Sequence, residues 1–206
     1  MKSILLQIFT YVSHNKNFLF QPRGFNSIEE MCEEIVERWN DVVRPGDIVY
    51  NLGDVALNDT SAAIPYIQRL NGKQYWIRGN HDASTKIQLI RKECDNIDLI
   101  SAEDTSWAYM LKYGKFNFYL SHYPTLTANF DDKKFTQHVI NLHGHTHQQT
   151  HWLQLTNPFM YHVGVDSHNC TPVHIDEILS DIRNRWNELG LNTNILNEED
   201  KYGIPQ

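Results

Sequence analysis

Four short polar clusters carry the residue types that bind metal: Gly53-Asp54, Gly79-Asn80-His81-Asp82, His122, and Gly144-His145-Thr146-His147. Carboxylate or amide oxygens and imidazole nitrogens suit Mn, Fe, Zn or Ni. A glycine next to a ligand lets the backbone turn sharply without a Cβ clash. His145 and His147, two apart, lie on one face of an extended segment and can share a site. Each cluster alone has an ordinary structural reading. Gly-Asp after a strand is usually a turn, a single histidine such as His122 is usually a hydrogen-bonded core residue, and histidine pairs are common. Gly79-Asn80-His81-Asp82 is the most specific, because nothing structural requires that tetrapeptide. It is the set, in this order, that points to a metal centre.

Each cluster follows a predicted strand. Ser27-Ile28-Glu29-Glu30 fits a capping box. Beyond it, Ile28, Met31, Ile35, Trp39 and Val42 recur at helical spacing, so 28–43 is predicted as an amphipathic helix. Arg44-Pro45-Gly46-Asp47 ends it. Strands are expected at 48–52 and 74–77, with helices near 61–70 and 84–93. Segments 107–111 and 116–120 alternate around Tyr113-Gly114-Lys115 as a hairpin. Strands follow at 139–142 and 161–165, then a helix at 176–189 and a loose tail over 190–206. Strand and helix alternate first, and strands dominate later. That pattern implies an α/β sandwich with mixed sheets. The clusters fall just past the C-terminal ends of strands, where α/β folds place ligands.

The chain has 206 residues, 41% hydrophobic and 21% charged, which suits one cored domain. Residues 1–178 are read as that domain and 179–206 as a C-terminal helix and tail. The net charge of −7 argues against binding long nucleic acid through phosphate contacts. Cys32, Cys94 and Cys170 are widely spaced and read as reduced thiols of a cytoplasmic protein. Lys2 and the apolar run Ile4 to Val12 faintly resemble a signal peptide. They lack a small-residue cleavage site, so a first strand is expected instead. No stretch is long enough to span a membrane.

The ordered clusters resemble the calcineurin-like metallophosphoesterases over about residues 1–178. Arg23-Gly24-Phe25-Asn26-Ser27 leading to Glu29-Glu30-Met31, then Trp39-Asn40, look like the small single-domain bacterial and phage members. So do Val49-Tyr50-Asn51-Leu52-Gly53-Asp54, and Gly164-Val165-Asp166 leading to Asp176-Glu177-Ile178. The resemblance implies a four-layer α/β/β/α sandwich with two mixed sheets. It implies two metals bridged by Asp54, Mn foremost, with Fe, Zn or Ni as alternatives. One metal is held also by Asn80, His122 and His145. The other is held by His147 and by an Asp and a His of a first motif, Asp-x-His. The metals activate water for in-line attack on phosphorus. His81 stabilises the transition-state charge or protonates the leaving oxygen, Asp82 orients His81, and Arg78 contacts phosphate.

The first motif is missing. It belongs near residues 8–14, which read Ile8-Phe9-Thr10-Tyr11-Val12-Ser13-His14, and the first acidic residue of the chain is Glu29. Either Phe9-Thr10-Tyr11 replaces the motif, or Val12-Ser13-His14 does and His14 survives as a ligand. His14-Asn15-Lys16-Asn17 resembles the His-Lys-Asn that trails the family motif, which favours the first register. Two causes stand side by side. One is ordinary divergence. The other is a shifted reading frame, since codons for Leu6-Gln7-Ile8-Phe9-Thr10 can be chosen so that a one-base shift reads Ser-Asp-Ile-His. The nucleotide sequence of the gene separates them. Either way, one metal site is well furnished and the second is short of a carboxylate.

Two functions follow. The first is a metal-dependent hydrolase of phosphomonoesters or phosphodiesters, impaired by the lost motif. The second is a phosphoesterase fold that binds one metal and small phosphorylated ligands without turnover. Substrate identity and oligomeric state are not encoded legibly.

Overall fold

The computed structural model describes residues 4–7, 11–12, 17–57, 59–100, 106–127 and 134–191. The question of the first motif and His14 therefore lies outside the described residues. The elements are β1 (Ile4–Gln7), β2 (Tyr11–Val12), α1 (Asn17–Phe20), α2 (Ile28–Val42), β3 (Ile48–Asn51), β4 (Ala56–Leu57), α3 (Thr60–Ile67) and β5 (Lys73–Trp76). Next come α4 (Ser84–Glu93), β6 (Ile97–Leu99), β7 (Ala108–Tyr113), β8 (Phe116–Ser121) and a 3-10 turn, Phe135–Gln137. Then follow β9 (Val139–His143), β10 (Met160–His162), β11 (Val173–His174) and α5 (Ile175–Glu188).

Helix α2 starts where the sequence places it. Ser27 Oγ accepts the Glu30 N–H at 3.0 Å. The return bond goes one residue further back than a capping box has it, because Glu30 accepts the N–H of Asn26 at 2.8 Å. The buried face is Met31, Cys32, Ile35, Val36 and Trp39. Val42 ends the helix exposed, while Val43 turns inward and is fully buried. Trp39 is 0% exposed and its indole N–H donates to the Asn71 carbonyl at 2.9 Å. Truncation of such a residue to alanine typically costs about 3–5 kcal/mol.

The two larger sheets are both mixed, with a short parallel pair of β2 and β4 beside them, and the expected α/β sandwich is found. The first has the order β11-β1-β3-β5-β6, and the second β10-β9-β8-β7. In the first, β1, β3, β5 and β6 run parallel and β11 runs antiparallel to β1. In the second, β8, β9 and β10 run parallel and β7 runs antiparallel to β8. Period-2 alternation gives the first sheet two apolar faces. Leu5, Val49 and Trp76 pack with Met31, Ile35, Trp39, Ile67 and Ile90 of the helices. Ile4 and Tyr50 pack the other way, against a second core of Leu52, Phe118, Leu120, Ile140 and Leu142.

Two boundaries differ from expectation. The late strand, expected over 161–165, stops at His162, although the Val163 N–H still donates to the His143 carbonyl at 2.8 Å. Helix α5 runs unbroken through residue 178, where the domain division was expected. Ile178, Leu179, Ile182 and Trp186 are all buried in the second core. Among the described residues, no helix is long and apolar enough to cross a membrane.

The topology explains how distant clusters meet. β3 and β5 are adjacent parallel strands of one sheet, and β8 and β9 are adjacent parallel strands of the other. Parallel neighbours end on the same edge. The loops carrying Asp54 and Asn80 thus emerge together, as do those carrying His122 and His145.

Candidate metal centre

The loops after β3 and β5 touch at backbone level. Gly53 has φ 95° and Asp54 φ 56°, both left-handed. A Cβ on Gly53 would stand 2.6 Å from Gly79 Cα, and one on Gly79 would stand 2.9 Å from Asp54 Cγ. Only glycine allows this approach. Asp82 then latches the loops. Its Oδ2 accepts the N–H groups of Asp54 at 2.7 Å and Gly79 at 2.9 Å, and its Oδ1 accepts that of Val55 at 3.3 Å. Burial raises the Asp82 carboxyl, against the pull of the Gly79 N–H. Both Asp82 carboxylate oxygens accept backbone N–H groups, so these bonds tie it to the two loops.

The latch presents Asp54. Its Oδ1 accepts the His81 N–H at 2.8 Å, and its Oδ2 lies 3.2 Å from His122 Nε2. His122, just past β8, contacts the Leu52 carbonyl through Nδ1 at 2.9 Å, a bond across the two sheets. With the hydrogen on Nδ1, Nε2 is a bare lone pair. Around it stand Asn80 Oδ1 at 2.8 Å, Asp54 Oδ2 at 3.2 Å and His145 Nδ1 at 3.2 Å. His145 reaches this position with φ 62°, turned by the loop after β9.

This convergence tests whether the residues fit a metal. An amide oxygen, a carboxylate oxygen and two imidazole nitrogens face one point, and none of the oxygens carries a hydrogen. Such lone pairs repel unless a cation or a proton sits among them. Asp54, His122 and His145 each offer one ligand atom, all within 4.8 Å of one another, two of them from buried residues. Mixed N and O donors suit a divalent transition metal. The electrostatics agree. Burial opposes ionising Asp54, yet the bond and charge of His122 bring its carboxyl below the usual range. Burial also opposes the His122 imidazolium, and Asp54 outweighs it, raising the ring above its ordinary value. The residues fit the metal.

His147 behaves differently. Among the described residues, the three-ligand group does not include it. Its Nδ1 lies 3.0 Å from Asp166 Oδ2, and Asp166 is paired with Arg23 at 2.8 Å. His145, His147, Asp166 and Arg23 line one small open cavity, with His162 behind them. Sequence reasoning gave no role to Arg23 or Asp166. Both appeared only within stretches typical of a subgroup, and an ion pair 143 positions apart leaves no local signal.

His81 is exposed, as a residue that meets substrate must be. Arg78 is half-buried and makes contacts within the protein. Its Nε donates to the Asp82 carbonyl at 2.8 Å and its guanidinium lies 5.3 Å from the Trp107 ring centroid. These contacts tie it to its own loop and to the segment just before β7.

The family description for calcineurin-like phosphoesterases matches residues 13–199. An uncharacterised protein of Methanocaldococcus jannaschii is 36% identical over 110 residues, which are 52% of this chain and 62% of that protein. The chain thus spans less than two thirds of that relative. The Gene 66 protein of Mycobacterium phage D29 is 30% identical over 164 residues, 72% of this chain and 82% of the phage protein. A crystal structure of a protein of unknown function from Aquifex aeolicus superimposes with a TM-score of 0.59 at 18% identity. It covers 86% of this chain and 98% of its own, a likeness of fold alone. The centre built on Asp54, Asn80, His122 and His145 and the family match agree: the chain belongs to the calcineurin-like phosphoesterase family.

Proposed function

We propose that the protein hydrolyses small phosphate monoesters or diesters with a divalent transition metal, Mn foremost, held by Asp54, Asn80, His122 and His145. The observation that carries this is the convergence of three lone-pair donors on His122 Nε2, whose other ring nitrogen is tied to the Leu52 carbonyl. A bound divalent cation supplies Lewis acidity toward a phosphoryl oxygen and lowers the pKa of water. Asp54 contributes the negative charge that offsets it. Asn80 is a neutral donor, so the centre keeps net positive charge to attract phosphate. His81 stands exposed beside Asp54, placed to stabilise charge on the phosphoryl group or to protonate the leaving oxygen.

A second reading is favoured by one observation: no acidic residue precedes Glu29. A protein with a weak second site binds one metal and phosphorylated ligands with little or no turnover. Hydrolysis of an aryl phosphodiester and an aryl phosphomonoester, with Mn and with His81→Ala, separates the two. Mn-dependent turnover lost in His81→Ala supports the enzyme. Bound metal with no turnover, unaltered by His81→Ala, rejects it.

A further inference from the structure

His145 and His147 are two residues apart, yet they are held by different partners. His147 Nδ1 meets Asp166 Oδ2 at 3.0 Å. The same carboxylate takes two bonds from Arg23, Nε to Oδ1 at 2.8 Å and Nη2 to Oδ2 at 3.1 Å. Arg23 Nη1 also contacts Met31 Sδ of α2 at 3.4 Å. The Arg23 and Asp166 side chains are 1% and 8% exposed, and that of His147 is 41% exposed. An exposed imidazole thus rests on a buried ion pair anchored to α2.

The geometry decides which ring nitrogen carries hydrogen. A carboxylate bonded twice to a guanidinium is ionised and can only accept. Its 3.0 Å contact with Nδ1 therefore needs the hydrogen on Nδ1. The competing arrangement has Arg23 Nη2 donating to a bare Nδ1 at 3.5 Å, the outer limit of a hydrogen bond. The shorter, charge-assisted contact prevails.

We propose that Asp166 is a positioning residue: held by Arg23, it fixes neutral His147 as the Nδ1–H tautomer and keeps the Nε2 lone pair available to a second cation. This rests on reading His147 as a metal ligand. Ligating histidines characteristically donate their other N–H to a carboxylate, which fixes ring orientation and raises basicity. The second position therefore keeps its outer support although no acidic residue precedes Glu29.

Ring-nitrogen NMR on the metal-free whole chain tests this at alkaline pH, where imidazoles are neutral. His147 is expected to carry its hydrogen on Nδ1, and Asp166→Ala to move it toward Nε2. Hydrogen on Nε2 in the wild type overturns the proposal without any variant. In Mn titrations, Asp166→Ala is expected to weaken the weaker of two binding events by about 10–100-fold and to spare the tighter one. Asp166→Asn keeps the shape and removes the charge, so it serves if the alanine variant does not fold. Equal weakening of both events, or of neither, overturns the proposal. Absence of hydrolysis with Nδ1–H intact rejects the phosphoesterase reading alone.

Discussion

The Asp82 carboxylate accepts the backbone N–H of Asp54 at 2.7 Å, across 28 positions of sequence. That bond, with those from Gly79 and Val55, sets the backbone of the residue that presents an oxygen to His122. A carboxylate in the Gly-Asn-His-Asp cluster thus acts on the neighbouring loop.

Asp82→Ala leaves three backbone N–H groups without their acceptor. The metal-free protein is expected to lose about 3 kcal/mol or more, read by urea unfolding, with cation affinity falling in parallel. Asp82→Asn is expected to lose less, because it keeps one acceptor oxygen. Unchanged stability with a lowered kcat would assign Asp82 to His81 instead.

The close approach of the two loops gives a steric test. Gly79→Ala puts a methyl group against Asp54 and is expected to abolish cation binding and destabilise the protein by about 2 kcal/mol or more. Gly46→Ala, where nothing lies within 4 Å of the added carbon, is expected to change stability by about 0.5 kcal/mol or less. Thermal unfolding of both variants with and without Mn reads the difference.

Much of this candidate site was legible because its residues sit in short motifs at strand ends. Asp54, Asn80, His122 and His145 each follow a strand that alternates or runs apolar, and the parallel pairs β3/β5 and β8/β9 carry them to a common edge. Helix α4 is found over Ser84–Glu93 as expected, since its apolar spacing is local. Three things were not legible. The roles of Asp82 and Arg78 depend on backbone groups they bond in space. The pair Arg23–Asp166 joins distant segments. Val42 and Val43 look alike in sequence, and only the helix end, where Val43 leaves helical geometry, decides which is buried.

Two buried histidines behind the centre give a pH dependence. Burial holds His143 at about 4 and His162 at about 3, both below the usual imidazole value. A depressed histidine stays neutral in the fold while the unfolded chain takes up a proton below about pH 6.5. Unfolding is then favoured as pH falls, by about 1.4 kcal/mol per pH unit for each group. The metal-free protein is expected to lose about 4 kcal/mol from these two between pH 7.5 and 5. Urea unfolding across that range measures it, and His162→Gln is expected to remove its own share, about 2 kcal/mol of the loss.

Arg78 is bonded to the Asp82 carbonyl and lies over Trp107. Arg78→Met is therefore expected to cost about 1–2 kcal/mol of stability and to leave KM for an aryl phosphodiester nearly unchanged. A rise in KM of about tenfold with stability intact would instead assign it the phosphate-binding role expected from the sequence.

The most direct measurement is calorimetric titration of the metal-free protein with Mn, compared with His122→Ala. His122 is the ring on which Asp54, Asn80 and His145 converge. The expected result is one tight binding event in the wild type that His122→Ala abolishes. Tight binding that survives His122→Ala, or no binding of Mn, Fe, Zn or Ni by the wild type, would contradict the metal centre.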